Sequence, residues 1–408
     1  LIADRSSGRT RFSMLETIRQ FAEEQLAASG AAEDVRAAHA HYYAGREAEI
    51  LALWDSPRQP EAYDWFTCES ANLRTAFRWA ADHGDLDTAA AIATYAAFLG
   101  YLVENYEPIA WAEELIEPAR EIDHPRLAFL YVMASCCWMY RRFEDAIAYT
   151  DAGQAVIGSG HSKVPYGIQG WLGGAYLYTG QRERWVEWCD AQLARGNDTV
   201  LTRACLVLAL RITGSCNEAV TAAHGLVDAA EATRNPHTLS FALLAYGFAF
   251  VDADPSRALE ALRRGLLIAQ DSSNRANETH LAANLSRVEA KHGEPLAALD
   301  YVTLAIRNYH DSGDTATMRT PLATLSVFFD SLGRSKAAAT IAGFALSPFA
   351  AAAVPDITTA ITHLRDVLGD QTYQSLARKG EAMTAAAMAT YAYDQIDQAR
   401  AELNAVSK

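Results

Sequence analysis

The chain has 408 residues, an apolar fraction of 50% and only 12 prolines. This composition excludes an intrinsically disordered chain, and the length exceeds what one compact hydrophobic core usually serves. The net charge is −15, and no dense group of Lys and Arg stands out along the chain. A duplex-binding surface needs such a group to displace counterions, so we expect no direct contact with nucleic acid.

The cysteine pattern gives no support for a zinc site. No two cysteines have the Cys-x-x-Cys spacing of structural zinc sites. We interpret the six thiols as small apolar core residues of a protein in a reducing compartment. They are Cys68, Cys136, Cys137, Cys189, Cys205 and Cys216.

The sequence shows no targeting or membrane segment. Residues 1–15 are polar and lack the apolar stretch of a signal peptide. The apolar run 89–103 is too short to span a membrane, and the run 337–354 is interrupted by Ser347-Pro348. We therefore expect a cytoplasmic protein without membrane contact. Because the chain starts at Leu1 without a Met, we also expect it to be part of a larger protein.

The first predicted elements are a β-hairpin and a helix. Residues 1–5 and 10–14 flank the turn-like Ser6-Ser7-Gly8-Arg9 and predict two short strands. A helix follows, because five apolar residues recur at helical spacing before Gly30. They are Leu15, Ile18, Phe21, Ala22 and Leu26. Residues 31–120 then predict a helical lead-in.

A repeat runs through residues 121–350. A small residue recurs at steps of 34 to 40 residues, where the second helix of a predicted pair begins, and Trp185 occupies one such position. The small residues are Ala146, Ala219, Ala258, Ala298 and Ala338. Five positions before four of the six positions stands a glycine: Gly180, Gly214, Gly293 and Gly333. Thirteen positions before stands an apolar or small residue: Met133, Leu172, Leu206, Ala245, Leu285 and Leu325.

These offsets have a physical reason. The small residue lies where the two helices of a pair come closest, and the glycine allows the left-handed backbone that ends the first helix. Because Trp185 is large, we expect its pair to be splayed. The spacing, seen best in 142–146 and 172–180, resembles tetratricopeptide repeats. The resemblance implies an all-α fold, a right-handed α-solenoid of antiparallel helix pairs. Residues 351–408 predict three capping helices, at 357–368, 370–378 and 384–403.

The segment Arg11–Ala22, RFSMLETIRQFA, is similar to the end of the winged-helix domain in STAND-type signalling ATPases of actinobacteria. Parts of residues 62–79 and 383–392 resemble the start of the repeats and the tail of that family. The resemblance implies that residues 1–30 end a winged helix and that an ATPase domain lies upstream in the same chain. It also implies a LuxR-type transcriptional regulator or an adenylate cyclase fusion as the parent, with the repeats as its sensor.

The motifs that could form a nucleotide-binding, catalytic or metal site are better explained by structural roles. The sequence lacks a phosphate-binding loop of the Gly-x-x-x-x-Gly-Lys-Ser/Thr type, so these residues encode no ATPase site. The glycine-rich stretch Gly167–Gly174 lacks the preceding strand of a dinucleotide site, and we interpret it as close helix packing. His39 and His41 face apart on a helix and cannot share a metal. We predict no catalytic residue, no metal and no cofactor.

The candidate binding residues line the concave groove of the solenoid, which the first helix of each pair forms. Counted from the small residues, they are Tyr131, Trp138, Trp171, Tyr178, Arg211, His280 and Arg287. Aromatic side chains offer large contact areas and are frequent at binding surfaces. The alternative for Tyr131, Trp138 and Trp171 is the core between repeats. The groove would hold an effector of unknown identity: a peptide, a protein or a small metabolite.

The sequence therefore predicts a non-catalytic sensor region of a multidomain signalling or transcriptional regulator, which relays binding to an upstream ATPase. The alternative is a passive scaffold for protein assembly or oligomerisation. A stand-alone enzyme is the weakest hypothesis, because no convergent carboxylates or histidines are predicted.

Overall fold

The computed structural model describes residues 2–4, 11–160 and 164–406. Two short strands open this part of the chain, β1 Ile2–Asp4 and β2 Arg11–Ser13. They pair antiparallel, with Ala3 opposite Phe12. The predicted turn Ser6–Arg9 lies outside the described residues.

The rest of the described chain is mainly helical. The helices that precede the repeats are α1 Glu16–Ala28, α2 Ala32–Gly45, α3 Glu47–Trp54, α4 Gln59–Asp82, α5 Leu86–Leu102, α6 Glu107–Glu114 and α7 Ile116–Glu121. The repeat region contains α8 Leu127–Ser135, α9 Phe143–Gly158, α10 Glu183–Ala194, α11 Val200–Thr213, α12 Cys216–Ala222, α13 Leu226–Thr233, α14 Pro236–Phe250, α15 Pro255–Asp271, α16 Arg275–His292, α17 Pro295–Ser312, α18 Arg319–Ser331 and α19 Ser335–Ala345. Two 3₁₀ segments, Cys136–Tyr140 and Pro165–Thr179, lie between these helices. The tail contains α20 Pro348–Ala353, α21 Asp356–Leu368, α22 Asp370–Glu381 and α23 Ala385–Val406.

Successive helices pack on one another in sequence order. In the repeats α8 contacts α9, α14 contacts α15, α16 contacts α17 and α18 contacts α19. The five small residues of the repeat all lie in the second helix of a pair and are buried. This confirms the predicted all-helical body of consecutive pairs. Its right-handed sense and the domain boundaries at 30, 120 and 350 stay predictions. Among the described residues, no helix combines the length and the apolar character needed to cross a membrane.

The turn glycines follow the prediction at three positions and depart from it at one. Gly180, Gly214 and Gly333 have φ of 76°, 93° and 71°, the left-handed backbone that ends a helix. Gly293 has φ of −127° instead. There the buried Glu289 carboxylate accepts a hydrogen bond from the backbone N–H of Glu294 at 3.0 Å. A Cβ on Gly293 would overlap that carboxylate, so this glycine serves a close approach.

Trp185 does not splay its helix pair, so that expectation is wrong. Its indole packs directly on Gly173, where a Cβ would overlap the ring, and its Nε1–H donates to the Gly170 carbonyl at 2.8 Å. The large residue is therefore accommodated by glycines in the facing segment. The same glycines disfavour an α-helix. Residues 165–179 wind as 3₁₀ turns instead, with left-handed backbone at Tyr166 and Gly167.

The tail forms three helices near the predicted positions, preceded by one additional helix, α20, and their capping role stays a prediction. The Thr384 hydroxyl accepts the backbone N–H of Ala387 at 3.2 Å and so caps α23. The α22 helix packs against α19, and α23 packs against α17. Glycines allow the first contact, because a Cβ on Gly343 or Gly380 would overlap backbone atoms of the facing helix.

The lead-in helices return to contact the repeats, which closes the stack on itself. The Gln59 side chain in α4 donates to Asn235 Oδ1 before α14 at 3.1 Å. The Asn274 amide before α16 donates to the Tyr63 hydroxyl at 3.2 Å. The Arg275 guanidinium donates to the buried Glu104 carboxylate at 2.8 Å. An open concave groove was expected. These contacts narrow it to a cavity, because they draw helices far apart in sequence together.

Substitution of Gly380 by Ala tests the close packing of α22 on α19. Although Ala favours a helix, its Cβ would overlap the Thr340 carbonyl. We expect a loss of about 1–3 kcal/mol of stability, seen as a lower Tm in thermal unfolding followed by circular dichroism. The matched control is Gly45→Ala, whose Cβ meets no atom within 4 Å. It should raise the Tm slightly by helix propensity. Equal effects of both substitutions would contradict the packing.

Candidate ligand-binding cavity

A recessed cavity lies at the centre of the closed stack. Its volume, measured as the space open to the centre of a water molecule, is about 170 Å³. The first helices α11, α14, α16 and α18 and both 3₁₀ segments supply its walls, and α20 covers one side. None of the lining residues is exposed. The aromatic lining residues are Tyr101, Trp138, Trp171, Tyr178, Trp185, Phe241, Phe248, Tyr309 and Phe349.

The structure brings five of the seven sequence-predicted residues to this cavity. They are Trp138, Trp171, Tyr178, His280 and Arg287. Tyr131 is not among the lining residues; it packs against Gly153 of α9, the other helix of its own pair, and its role as a binding residue stays a prediction. Arg211 also lies outside the lining. It donates to Asp252 at 2.6 Å and stacks on Phe248 with its guanidinium carbon 5.2 Å from the ring centre.

Sequence reasoning missed several lining residues. His237, Phe241, Leu244 and Phe248 form one stripe of α14, at steps of four, three and four residues. That helical spacing was a usable signal. Phe349 and Ala353 come from α20. Nothing in the repeat register indicates α20, because it follows the last pair and reaches the cavity only through closure of the stack.

Aromatic stacking connects the early repeats to the later ones. Trp138 and Tyr178 stack with ring centres 4.7 Å apart and planes 19° from parallel. The Tyr178 ring also meets the tilted ring of Phe349 of α20, with ring centres 4.8 Å apart. The Tyr178 hydroxyl also lies 2.8 Å from Thr317 Oγ1. Rings of this kind present flat apolar faces to a ligand.

Arg287 forms the charged end of the cavity. Its guanidinium carbon lies 4.7 Å from the centre of the Phe248 ring. Its Nη1 donates to the Ala353 carbonyl of α20. Burial, and secondarily the nearby Arg211, lowers the pKa of Arg287 to about 10, so it remains cationic at neutral pH. Among the described residues, no acceptor bonds its buried Nε and Nη2.

His237 forms a second polar point, at the start of α14. The Asn274 Oδ1 accepts the backbone N–H of Asn277 at 3.0 Å, which fixes the Asn274 amide as a donor toward His237 Nδ1 at 2.9 Å. Burial lowers the pKa of His237 to about 3, so the ring is neutral. Since Nδ1 accepts, the proton resides on Nε2. The described residues offer this N–H no acceptor.

His280 is a neutral hydrogen-bonding group in the wall. Its Nδ1 lies 2.5 Å from the Tyr309 hydroxyl. Burial lowers the pKa of His280 to about 4, so the ring is uncharged at neutral pH. It therefore adds no charge beside Arg287. The remaining polar lining groups are neutral side chains: Asn277, Asn284, Thr317, Thr320 and Thr324.

Asp314 is a buried carboxyl group next to the cavity wall. Burial raises its pKa to about 7, although the Thr317 backbone N–H, which donates to Oδ1 at 2.9 Å, acts in the opposite direction. Asp314 is not itself a lining residue, and no Asp or Glu is found among the described residues that line the cavity.

Comparison with known proteins gives a partial match in sequence. A search against models of protein families finds no match. Over 121 residues the chain is 33% identical to proteins of Mycobacterium tuberculosis and Mycobacterium bovis that carry the provisional name HTH-type transcriptional regulator. The match covers 29% of this chain, and the chain spans only 14% of the length of those relatives.

Two solved structures are similar in outline. One is a Rap protein in complex with competence and sporulation factor, with a TM-score of 0.48, 11% identity, and coverage of 90% of this chain and 99% of that one. The other is a STAND protein with a tetratricopeptide repeat sensor from Pyrococcus horikoshii. Its TM-score is 0.42, with 13% identity and coverage of 79% of this chain and 53% of that one.

The raised pKa of Asp314 predicts a pH-dependent stability. Between the unfolded pKa of about 4 and the folded pKa of about 7, the folded chain binds more protons than the unfolded chain, so stability falls as pH rises. In Asp314→Asn the Tm should therefore fall less between pH 5 and pH 8. Glu104, whose pKa burial also raises to about 7, leaves part of the slope. Asp64→Asn, at an exposed carboxylate, is the control. An unchanged slope in Asp314→Asn would contradict the assignment.

Proposed function

We propose that this chain is the non-catalytic sensor region of a larger signalling or transcriptional regulator and that its effector binds in the central cavity. The observation that carries the proposal is the cavity itself. It combines aromatic walls with a buried cationic group, Arg287, whose Nε and Nη2 donors meet no acceptor among the described residues. Apolar pockets with a few convergent polar groups are the usual form of a small-ligand site.

The size of the cavity favours a small effector. About 170 Å³ of space, bounded by residues of which none is exposed, suits a metabolite or a single inserted side chain. A partner helix would need the closure contacts between α4 and the later repeats to break. Of the three effector classes that the sequence left open, the small metabolite therefore fits the geometry best.

Closure offers a route from binding to signal. The cavity is bounded by the 3₁₀ segment Pro165–Thr179, by α16 and by α20, which are far apart along the chain. A ligand that contacts all three stabilises the closed arrangement over any more open one. Its affinity difference between the two arrangements sets how far the equilibrium shifts.

The output would pass through the first helix. No residue of α1 is buried, and Leu15, Ile18 and Phe21 expose about half of their surface or more. This apolar face suits docking against another domain, which the resemblance of Arg11–Ala22 assigns to an upstream winged helix and ATPase. The partial match to HTH-type regulators accords with that arrangement. The same exposed face also favours the alternative, a scaffold that assembles through α1 and senses nothing.

Filling the cavity should abolish binding of an apolar probe. N-phenyl-1-naphthylamine is neutral and brightens in apolar sites, so we expect its fluorescence to rise with the wild-type chain. A Cβ on Gly174 in the cavity wall would lie 3.6 Å from Trp138 Nε1, an ordinary contact. Gly174→Phe should therefore fill the space and lower probe binding by about tenfold or more, as expected if roughly 1.4 kcal/mol or more of contact is lost.

Gly174→Ala is the matched control, since its side chain fits and leaves the cavity open. It should bind the probe like the wild type. A wild-type chain that gives no enhancement, or a Gly174→Phe chain that binds equally well, would contradict binding in the cavity.

Sedimentation velocity separates the sensor from the scaffold. A scaffold built on α1 predicts an oligomer that dissociates in Phe21→Asp, because a charge would replace an apolar contact. The sensor predicts the same sedimentation coefficient for both chains over a hundredfold concentration range. Glu24→Asp, on the same exposed helix, serves as the control.

A further inference from the structure

The two donors of Arg287 that lack protein acceptors are the pair suited to a carboxylate. Nε–H and Nη2–H point the same way along one edge of the guanidinium and bind two oxygens side by side. This chain uses that edge elsewhere: Arg58 donates through Nε and Nη2 to the two Glu61 oxygens, each at 2.6 Å. At Arg203 the same edge meets both Asp198 oxygens at 2.5 Å.

An unmatched edge of this kind is costly inside a protein. Only 9% of the Arg287 surface is exposed, and the group stays charged. The Nε–H and Nη2–H groups lose their hydration without a hydrogen bond in return, although Nη1 keeps its bond to the Ala353 carbonyl. Packing alone does not account for this arrangement, because an apolar residue of the same length would fill the position without that cost. An oxyanion ligand in the cavity would account for it, because it would supply the missing acceptors.

We propose that the cavity takes a small organic acid with a flat, apolar body. Its carboxylate would bind the Nε and Nη2 edge of Arg287, and its ring system would lie against the aromatic wall that includes Trp138 and Tyr178. The proposal rests on the function proposed above and specifies the chemical class of its effector.

The other lining groups agree with an acid. The described lining contains no carboxylate that would repel one, and His280 is neutral. At the far end, His237 Nε2–H is a donor for which the described residues also offer no acceptor. From His237 to Phe248, beside Arg287, α14 advances eleven residues, or roughly 16 Å at 1.5 Å per residue. An acid with a second acceptor at its distal end would match both points.

Binding would also act on α20. The Nε and Nη2 atoms are covered by protein, so the guanidinium has to turn toward the cavity to reach a carboxylate. That turn weakens the bond from Nη1 to the Ala353 carbonyl, the last residue of α20. Ligand binding in the cavity would therefore weaken a contact of α20, the helix that covers it.

The test compares two ligands that differ in charge but hardly in shape. Indole-3-acetate and indole-3-acetamide are titrated into the wild-type chain by isothermal calorimetry. We expect the acid to bind at least about tenfold more tightly, as a charge-assisted hydrogen-bond pair implies. In Arg287→Met this preference should disappear, while the Tm without ligand stays the same or rises because an unmatched buried charge is gone.

Arg264→Met is the control, since Arg264 is an exposed residue of α15 paired with Glu231. It should keep the preference for the acid. Arg287→Lys keeps the charge but loses the two parallel N–H donors of the guanidinium, and we expect the preference for the acid over the amide to fall severalfold. This variant decides the matter if Arg287→Met does not fold.

Equal affinities of the acid and the amide in the wild type would overturn the proposal, as would a preference that survives both Arg287 substitutions. Failure of indole-3-acetate to bind would overturn it as well. In each case, enhancement of N-phenyl-1-naphthylamine that Gly174→Phe removes would leave the sensor function standing. Loss of that enhancement in the wild type would overturn both.

Discussion

The shape of the molecule depends on a buried polar cluster at the start of α14 and α16. Asn274 caps α16 through its Oδ1 while its amide donates to Tyr63 of α4 and to His237. Asn235 caps α14 and accepts from Gln59. Two helix caps thereby also connect segments 176 and 211 residues apart. Because buried polar groups are costly without partners, separating α4 from the repeats would cost the bonds from Gln59 to Asn235 and from Asn274 to Tyr63. Closure, and with it the cavity, follows from this constraint.

Packing around the cavity follows a rule of complementary size rather than of small residues at fixed positions. Where Ala146 or Ala258 begins a second helix, the close contact comes from that helix. Where Trp185 begins it, the contact comes from Gly173 on the opposite side. The exchange keeps the pair close and places a large ring in the cavity wall. A position that breaks the repeat pattern is therefore a position where the repeat contributes to the site.

Much of the fold could be predicted from sequence because repeats are local. Each small residue and apolar partner lies within one hairpin, so spacing alone located the pairs and, through them, five cavity residues. Closure could not be predicted, because Gln59 and Asn235 carry no mark of their pairing. For the same reason the groove was expected to be open, and Phe349 and His237 were missed. Counting along a helix does not tell the concave side from the interface with the next helix, which is why Tyr131 lies outside the cavity lining.

The cavity differs from the rest of the core in the kind of charged group that is buried beside it. Two buried carboxylates have arginine partners: Glu289 with Arg263 at 2.5 Å and Glu104 with Arg275 at 2.8 Å. At Arg287 the relation is reversed, since the cation is the buried member and its partner is a single backbone carbonyl from α20. A solenoid gains nothing in stability from that choice, because an apolar side chain would stack equally well on Phe248. The arrangement leaves the Nε–H and Nη2–H donors of Arg287 without acceptors among the described residues, inside an apolar space. A bound anion interacts most strongly with such donors under this condition. The stability lost there and the specificity gained for a ligand are two aspects of the same buried group.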